Sequence, residues 1–365
     1  MRFSPTFSLY VIRSLLLNLF YVFLAFCFIS FILDLLELIR KAQGKEIFIG
    51  QMLRIVYYKL PYMSFAFLPF IFLFGSILTF TKLNNNFEIA AAKSVGISIW
   101  SLCIPLISTV LLLSILILWV LHPISAIFLD KNRALQSKYF DHKSYLVSVH
   151  SKGIWLYDHT NNPVDEKVIN AKNVIENGKA LSKVSLYYSG AKRDFTTSYI
   201  AKTVTLENGF LVMNDVIKYD PAIDAIHYEK LSLPTSLVAD QIQESIADPD
   251  IIPFWSLNDF IKQVKQSGFS SLKHEVYYQS MLVSPLLYIS LMLIALSCSL
   301  NLPRQGKLGV VFIVGSIIAI GIFFIDKIVN VMALTGILPI SVAVLAPSLT
   351  YLLISIAVLI HYEEG

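Results

Sequence analysis

The chain has 365 residues, 56% of them hydrophobic and 15% charged, with a mean hydropathy of +0.66. That composition describes a polytopic membrane protein. The net charge of +4 comes from basic residues scattered without a dense run, which excludes a nucleic-acid-binding footprint. Cys27, Cys103 and Cys298 all fall in apolar runs, so no disulfide framework is implied for the polar part.

Stretches almost free of charge cover residues 15–33, 60–80, 97–129, 276–303, 308–325 and 328–360. Each meets the ~20 apolar residues that a helix needs to cross a hydrocarbon core of about 30 Å. A chain crosses lipid only as helices or as a closed barrel, and runs this continuous are helices. The first is too long for a cleavable signal and reads as a retained span over about 11–33. Its helical pattern continues through Asp34, Glu37, Arg40 and Lys41 to a stop at Gly44. The second span, 57–80, contains Pro61 and Pro69, which kink or re-pack a membrane helix. The third covers 97–121, and the last three lie near 280–301, 308–329 and 339–360, with Pro285 and Pro347 inside the fourth and sixth.

Between the two sets of three spans the pattern changes. Short β-prone runs occur at 147–149, 154–157, 168–169, 184–188, 199–206, 210–212 and 226–231. Turn residues punctuate them, among them Asn161-Asn162-Pro163, Asn177-Gly178, Ser189-Gly190 and Asn208-Gly209. This predicts an antiparallel sandwich or open barrel at about 140–240. A helix then starts near Ser256, with Asp259 in a partial capping box, and stops at Gly268; a second begins near Ser270. The apolar spacing of the first reads as an amphipathic connector lying on the membrane. The predicted organisation is residues 1–121 for three spans with a short helix near 84–96, 122–250 for the β-domain, 251–279 for connector helices and 280–365 for three further spans.

An even number of spans puts both termini on one side. Arg2, Arg13, Lys82, Lys93, Arg304 and Lys307 on that side balance Arg40, Lys41, Lys45, Arg54, Lys59 and Lys327 on the other, so charge bias does not orient the chain. The cluster Arg40, Lys41 and Lys45 lies on the β-domain side. It is either functional or a loop neutralised by Asp34, Glu37 and Glu46.

Catalytic motifs are absent. No Walker A sequence occurs, and His274-Glu275-Val276-Tyr277-Tyr278 lacks the second His of a zinc site. Gly96-Ile97-Ser98-Ile99-Trp100 lacks the closing Gly of a nucleophile elbow. Two features remain. Asp326 interrupts the fifth span, where a carboxylate is either functional or interfacial and paired. Residues 84–96 read as a short helix with Asn84, Asn85 and Asn86 as capping chemistry, Glu88 in the first turn and Gly96 as the stop. It is either a solvated connector or a docking helix for a partner.

In this last segment, Phe87-Glu88-Ile89-Ala90-Ala91-Ala92-Lys93-Ser94-Val95-Gly96-Ile97 resembles the coupling segment of the LptF/LptG permease family. Phe31 to Leu36 resembles that family's F-x-D-x-L after span 1. Leu60-Pro61 and Phe67-Leu68-Pro69 resemble its span 2, and Gly153-Ile154-Trp155 the start of its soluble domain. Ser284-Pro285-Leu286 with Leu296-Ser297 resembles its span 4. Asp326-Lys327-Ile328, Gly336-Ile337-Leu338-Pro339 and Ala346-Pro347 resemble spans 5 and 6. The aspartate after span 1 and the C-terminal pattern are more similar to LptG than to LptF.

The resemblance implies a non-catalytic permease subunit of an ABC transporter that extracts lipopolysaccharide from the bacterial inner membrane. It implies six transmembrane helices with an inserted periplasmic all-β jellyroll-like domain, and cytoplasmic termini. The implied partners are an LptF-like permease, an LptB-like ATPase dimer and LptC-like and LptA-like periplasmic proteins. No cofactor would be bound by this chain; ATP and Mg2+ would be used by the ATPase. Residues Asn84, Phe87, Glu88, Ala91 and Gly96 would couple to the ATPase, Glu88 meeting a basic groove. Phe26, Phe28, Phe31 and Phe323 would face acyl chains, Arg40, Lys41 and Lys45 would meet phosphates, and Asp326 would join the lipid site.

Overall fold

The structure, a computed structural model, describes the chain except residues 1–4, 44–46, 141–146, 151–152, 160–165, 176–179, 190–194, 208, 221–222, 236–247, 268, 302–307 and 365. It forms two compact units, Met1–Arg133 with Val276–Gly365, and Ala134–Glu275.

The first unit is helical. Helix α1 covers Pro5–Lys41, α2 Ile49–Ala66, α3 Leu68–Asn85, α4 Glu88–Ser94 and α5 Ile99–Leu116. A π-helical turn, Ile117–Leu121, carries α5 straight into α6 (His122–Tyr139), so the third helix does not end where its apolar run ends. After the strands of the second unit come α7 (Phe254–Gln266), α8 (Leu272–Asn301), α9 (Leu308–Leu334) and α10 (Ile340–Glu364). Among the described residues five helices are long and apolar enough to cross a membrane, or six when α2 and α3 count as one broken span.

That break is where the prolines act. Pro61 lies inside α2 without ending it, whereas α2 and α3 meet at Phe67 with a bend of 64°. Pro69 sits in the first turn of α3, where its missing N–H costs nothing; within one continuous helix its ring would strike the carbonyl one turn back.

Helices α1 and α3 pack closely because of one glycine. A Cβ on Gly75 would lie 2.9 Å from the Cα of Leu19, so only Gly admits this approach. Four residues on along α3, the Asn18 amide donates to Thr79 Oγ1 at 2.9 Å, and Thr79 donates to the Gly75 carbonyl at 2.8 Å. Leu15, Leu73, Ile77 and Phe80 are fully buried in the same core, and Phe72 stacks on Tyr288 of α8 at 4.5 Å.

The second unit is a seven-stranded antiparallel sheet: β1 (Val147–His150), β2 (Gly153–His159), β3 (Glu166–Ile175), β4 (Ala180–Ser189), β5 (Phe195–Glu207), β6 (Phe210–Asp220) and β7 (Ile223–Pro234). All seven predicted runs are strands. Their order is an unbroken antiparallel meander, without the crossed connections of a jellyroll. Of the turn signals, Gly209 adopts φ +80°, a conformation that suits glycine; Asn161-Asn162-Pro163, Asn177-Gly178, Gly190 and Asn208 lie outside the described residues.

The inward face has an unexpected rhythm. Leu181 and Val184, Ala201 and Val204, Met213 and Val216, and Tyr228 and Leu231 all pack in the interior, three residues apart instead of two. The register aligns these steps, with Leu181 opposite Val204, Val204 opposite Met213 and Met213 opposite Leu231. Each strand therefore carries one extra residue at the same level, Lys183, Lys202, Asp215 and Glu229, and all four are exposed. Lys183 and Asp215 take positive φ there, 50° and 55°. Extra residues bend strands, and aligned ones crease the whole sheet while keeping its register. On this crease Asp215 pairs with His227 at 2.7 Å, a hydrogen bond that holds its carboxyl below the usual range.

Helix α7 (Phe254–Gln266) belongs to this unit and corrects two expectations. It begins after Pro253, ahead of Ser256, whose hydroxyl donates to the Pro253 carbonyl; Asp259 pairs with Lys262 and forms no capping box. Its apolar residues Leu257, Ile261 and Val264 are buried, and Val264, Phe260 and Phe269 pack with the sheet interior. The sheet occupies the face that was expected to lie on the membrane. Gly268, the expected stop, lies outside the described residues.

Candidate functional site

The segment 84–96 contains a helix, α4, shorter and differently capped than its sequence suggests. Asn84 and Asn85 end α3, and the Asn84 amide donates to the Ser299 carbonyl of α8 at 2.9 Å. The residue before α4 is Phe87, at φ 60°, with no side-chain cap. Asn84 therefore ties α3 to α8 instead of capping α4. Asn86 is the partial exception, donating to Glu88 Oε1 at 3.0 Å. Gly96 does act as the stop. Its φ of +81° lets Ile97 N reach the Ala92 carbonyl at 3.0 Å and Gly96 N reach that of Lys93 at 2.9 Å, the paired bonds of a Schellman ending.

Glu88 sits in the first turn, where the helix dipole favours an anion. It also accepts from the Tyr10 hydroxyl of α1 at 3.2 Å. Just past α4, Ser98 caps α5 and donates to Glu363 of α10 at 2.5 Å, while Lys93 Nζ approaches the Tyr362 carbonyl at 3.5 Å. Phe87, Ala91 and Gly96 are exposed and form the outer surface of the segment.

Of the proposed acyl-contact residues, Phe26 and Phe323 are brought into one aromatic face. Phe26 lies 5.3 Å from Phe67 and 6.4 Å from both Phe70 and Phe74, and Phe70 lies 6.2 Å from Phe323. Phe74 stacks on Phe312 at 5.6 Å. Three spans contribute: α1, α3 and α9. Phe28 is two positions from Phe26, on another side of α1, and is exposed away from this face; Phe31 is half-buried. Sequence reading missed Phe67, Phe70, Phe74 and Phe312, although the first three stand at helical spacing. A separate groove of about 400 Å³ between α1, α3 and α5 is lined wholly by apolar side chains, among them Leu16, Phe20, Phe23, Ile71 and Leu116.

Asp326 is not part of the aromatic face. It accepts from Tyr351 of α10 at 3.2 Å and lines a small polar cavity with Ser280, Ser284, Asn330 and Ser348. Lys327 instead lies over the Phe323 ring at 5.5 Å.

The far end of α1 is basic and exposed. Lys41 pairs with Glu37 at 2.7 Å, and Arg40 makes no ion pair among the described residues. Lys45 lies outside the described residues. Arg54 and Lys131 both stand over the Tyr58 ring, at 5.9 and 6.0 Å. Asp34 of α1 and Lys59 of α2 form a largely buried pair at 2.6 Å.

A family model described as the lipopolysaccharide export system permease LptF/LptG matches residues 9–361. The chain belongs to the LptF/LptG family. Among curated proteins it is similar to the lipopolysaccharide export system permease protein LptG of Escherichia coli strain K12 and to that of Escherichia coli O6:H1 strain CFT073. Each is 27% identical over 127 residues, covering 35% of this chain and 35% of the relative. The match thus spans about a third of the length of those curated relatives. Its long apolar helices make this family member a multi-pass membrane protein.

Proposed function

We propose that this chain is the LptG-type permease subunit of an exporter that lifts lipopolysaccharide out of the bacterial inner membrane. The observation that carries this reading is α1 itself. One helix presents Phe26 to an aromatic face and, 14 residues on, exposed Arg40 and Lys41. At 1.5 Å per residue these lie about 21 Å apart along the axis. That is the layout an amphiphile with acyl chains and an anionic, phosphorylated head requires. Aromatic rings take the chains, and charge-assisted bonds from Arg and Lys take the phosphates.

In this reading the creased sheet lies in the periplasm and receives the lipid, passing it to LptC-like and LptA-like carriers. The termini and α4 lie in the cytoplasm, where an LptB-like ATPase dimer docks on the surface around Phe87, Ala91 and Gly96. An LptF-like permease supplies the other wall of the cavity. ATP and Mg2+ serve the ATPase; this chain performs no chemistry and holds neither.

Photo-crosslinking tests the reading. A photoreactive residue at Phe70, on the aromatic face, and another at Arg40 should both capture lipopolysaccharide in cells. One at Phe28, turned away, should capture several-fold less. Equal capture at all three positions would remove the aromatic face as the lipid wall.

A further inference from the structure

The geometry points to an alkali-cation site inside the helical unit, between α8, α9 and α10, with Asp326 as its charged ligand. Asp326 sits in a membrane-spanning helix and forms no ion pair among the described residues; the Tyr351 hydroxyl donates to it at 3.2 Å. The ammonium of the adjacent Lys327 stands over the Phe323 ring at 5.5 Å instead. A lone carboxylate within a span is costly and calls for a counter-charge. The cavity that Asp326 lines measures about 80 Å³, enough for an ion with water.

The rest of the cavity supplies oxygens and no second charge. Asn330, one turn along α9, lines it and has no hydrogen-bond partner among the described residues. Ser280 and Ser284 of α8 line it as well. Their hydroxyls donate to the Val276 and Met281 carbonyls, each at 2.8 Å, which leaves the hydroxyl oxygens' lone pairs for a cation. Two prolines free main-chain carbonyls at this level, because proline has no N–H. Pro285 frees that of Met281, and Ser284 takes it up. Pro347 frees that of Ala343, a cavity residue that receives no side-chain donor among the described residues. One carboxylate among neutral oxygens balances a single positive charge, and such hard ligands suit an alkali ion better than a soft metal. Carbonyls freed from helices hold such ions in other membrane bundles. Helix α9 also carries Phe323, so an ion here steadies the span that completes the aromatic face.

The experiment is thermal unfolding of the full chain, purified in detergent, in NaCl, KCl or choline chloride at equal ionic strength. Choline is too large for the cavity. The melting temperature should rise with Na+ or K+, because an ion that binds only the folded chain stabilises it by mass action. Asn330→Ala should raise the half-saturating concentration several-fold. Asp326→Asn keeps the acceptor for Tyr351 and removes the charge, and should melt alike in all three salts. If Asp326→Asn does not fold, the unaltered chain and Asn330→Ala still decide. An unaltered chain that melts alike in all three salts would overturn the site, and so would a melting temperature that follows pH but ignores the alkali ion, since the carboxylate would then carry a proton. An alkali response that Asn330→Ala leaves unchanged would place the ion elsewhere and overturn it too. The test needs neither lipid nor partner, so its outcome is independent of the permease reading.

Discussion

At the scale of single residues, the pair Asp34–Lys59 is the most exacting arrangement in the helical unit. The two charges meet at 2.6 Å, with side chains 11% and 23% exposed, and the second oxygen of Asp34 is buried without a hydrogen-bond partner. Removing one partner of such a pair leaves a charge stranded, whereas removing both does not. Lys59→Met should therefore destabilise the protein by up to about 3 kcal/mol. The double change Asp34→Leu with Lys59→Met should recover most of that loss, read as thermal unfolding in detergent. Equal losses in the single and double variants would show that the single change strands no costly charge. Sequence reading had both residues but not their contact, because they lie 25 positions apart on different helices. The same holds for Tyr10 and Glu88, 78 positions apart, and for Asn84 and Ser299, 215 apart. Capping propensity is a local signal, and for Asn84 a distant carbonyl outcompeted it.

At the scale of elements, the approach of α1 to α3 depends on Gly75. Gly75→Ala would place a methyl group against the Leu19 backbone, which cannot give, and should cost about 1–3 kcal/mol. Gly315→Ala meets only the tip of the Ile77 side chain, with nothing else nearer than 3.9 Å, so a rotamer change relieves it. The melting temperature should fall clearly for the first variant and little for the second; the opposite order would mean that the α1–α3 contact is looser than described. Much at this scale was legible. The spans stood out by length and absence of charge, and the strands by β-prone runs between turn residues. The crease was not, since Leu181 with Val184 or Ala201 with Val204 reads singly as a lapse in alternation. Only the register shows that the lapses align. The fate of α7 was likewise hidden, because an apolar stripe does not say whether lipid or a sheet will cover it.

At the scale of the whole molecule, family membership over residues 9–361 fits the order of helices, sheet and helices. The division of labour proposed for it follows from what each part can do. The spans offer apolar and aromatic surface, the far end of α1 offers cations, and the sheet carries a buried apolar face. In the proposed function the energy enters from outside the chain, at α4. The most direct test is ATP-driven transfer from proteoliposomes that contain this chain with its partner permease and ATPase. Lipopolysaccharide should leave the vesicles for a soluble β-sheet acceptor only with hydrolysable ATP, and only when this chain is present. Transfer of some other amphiphile, with lipopolysaccharide left behind at every ATP concentration, would contradict the proposed function.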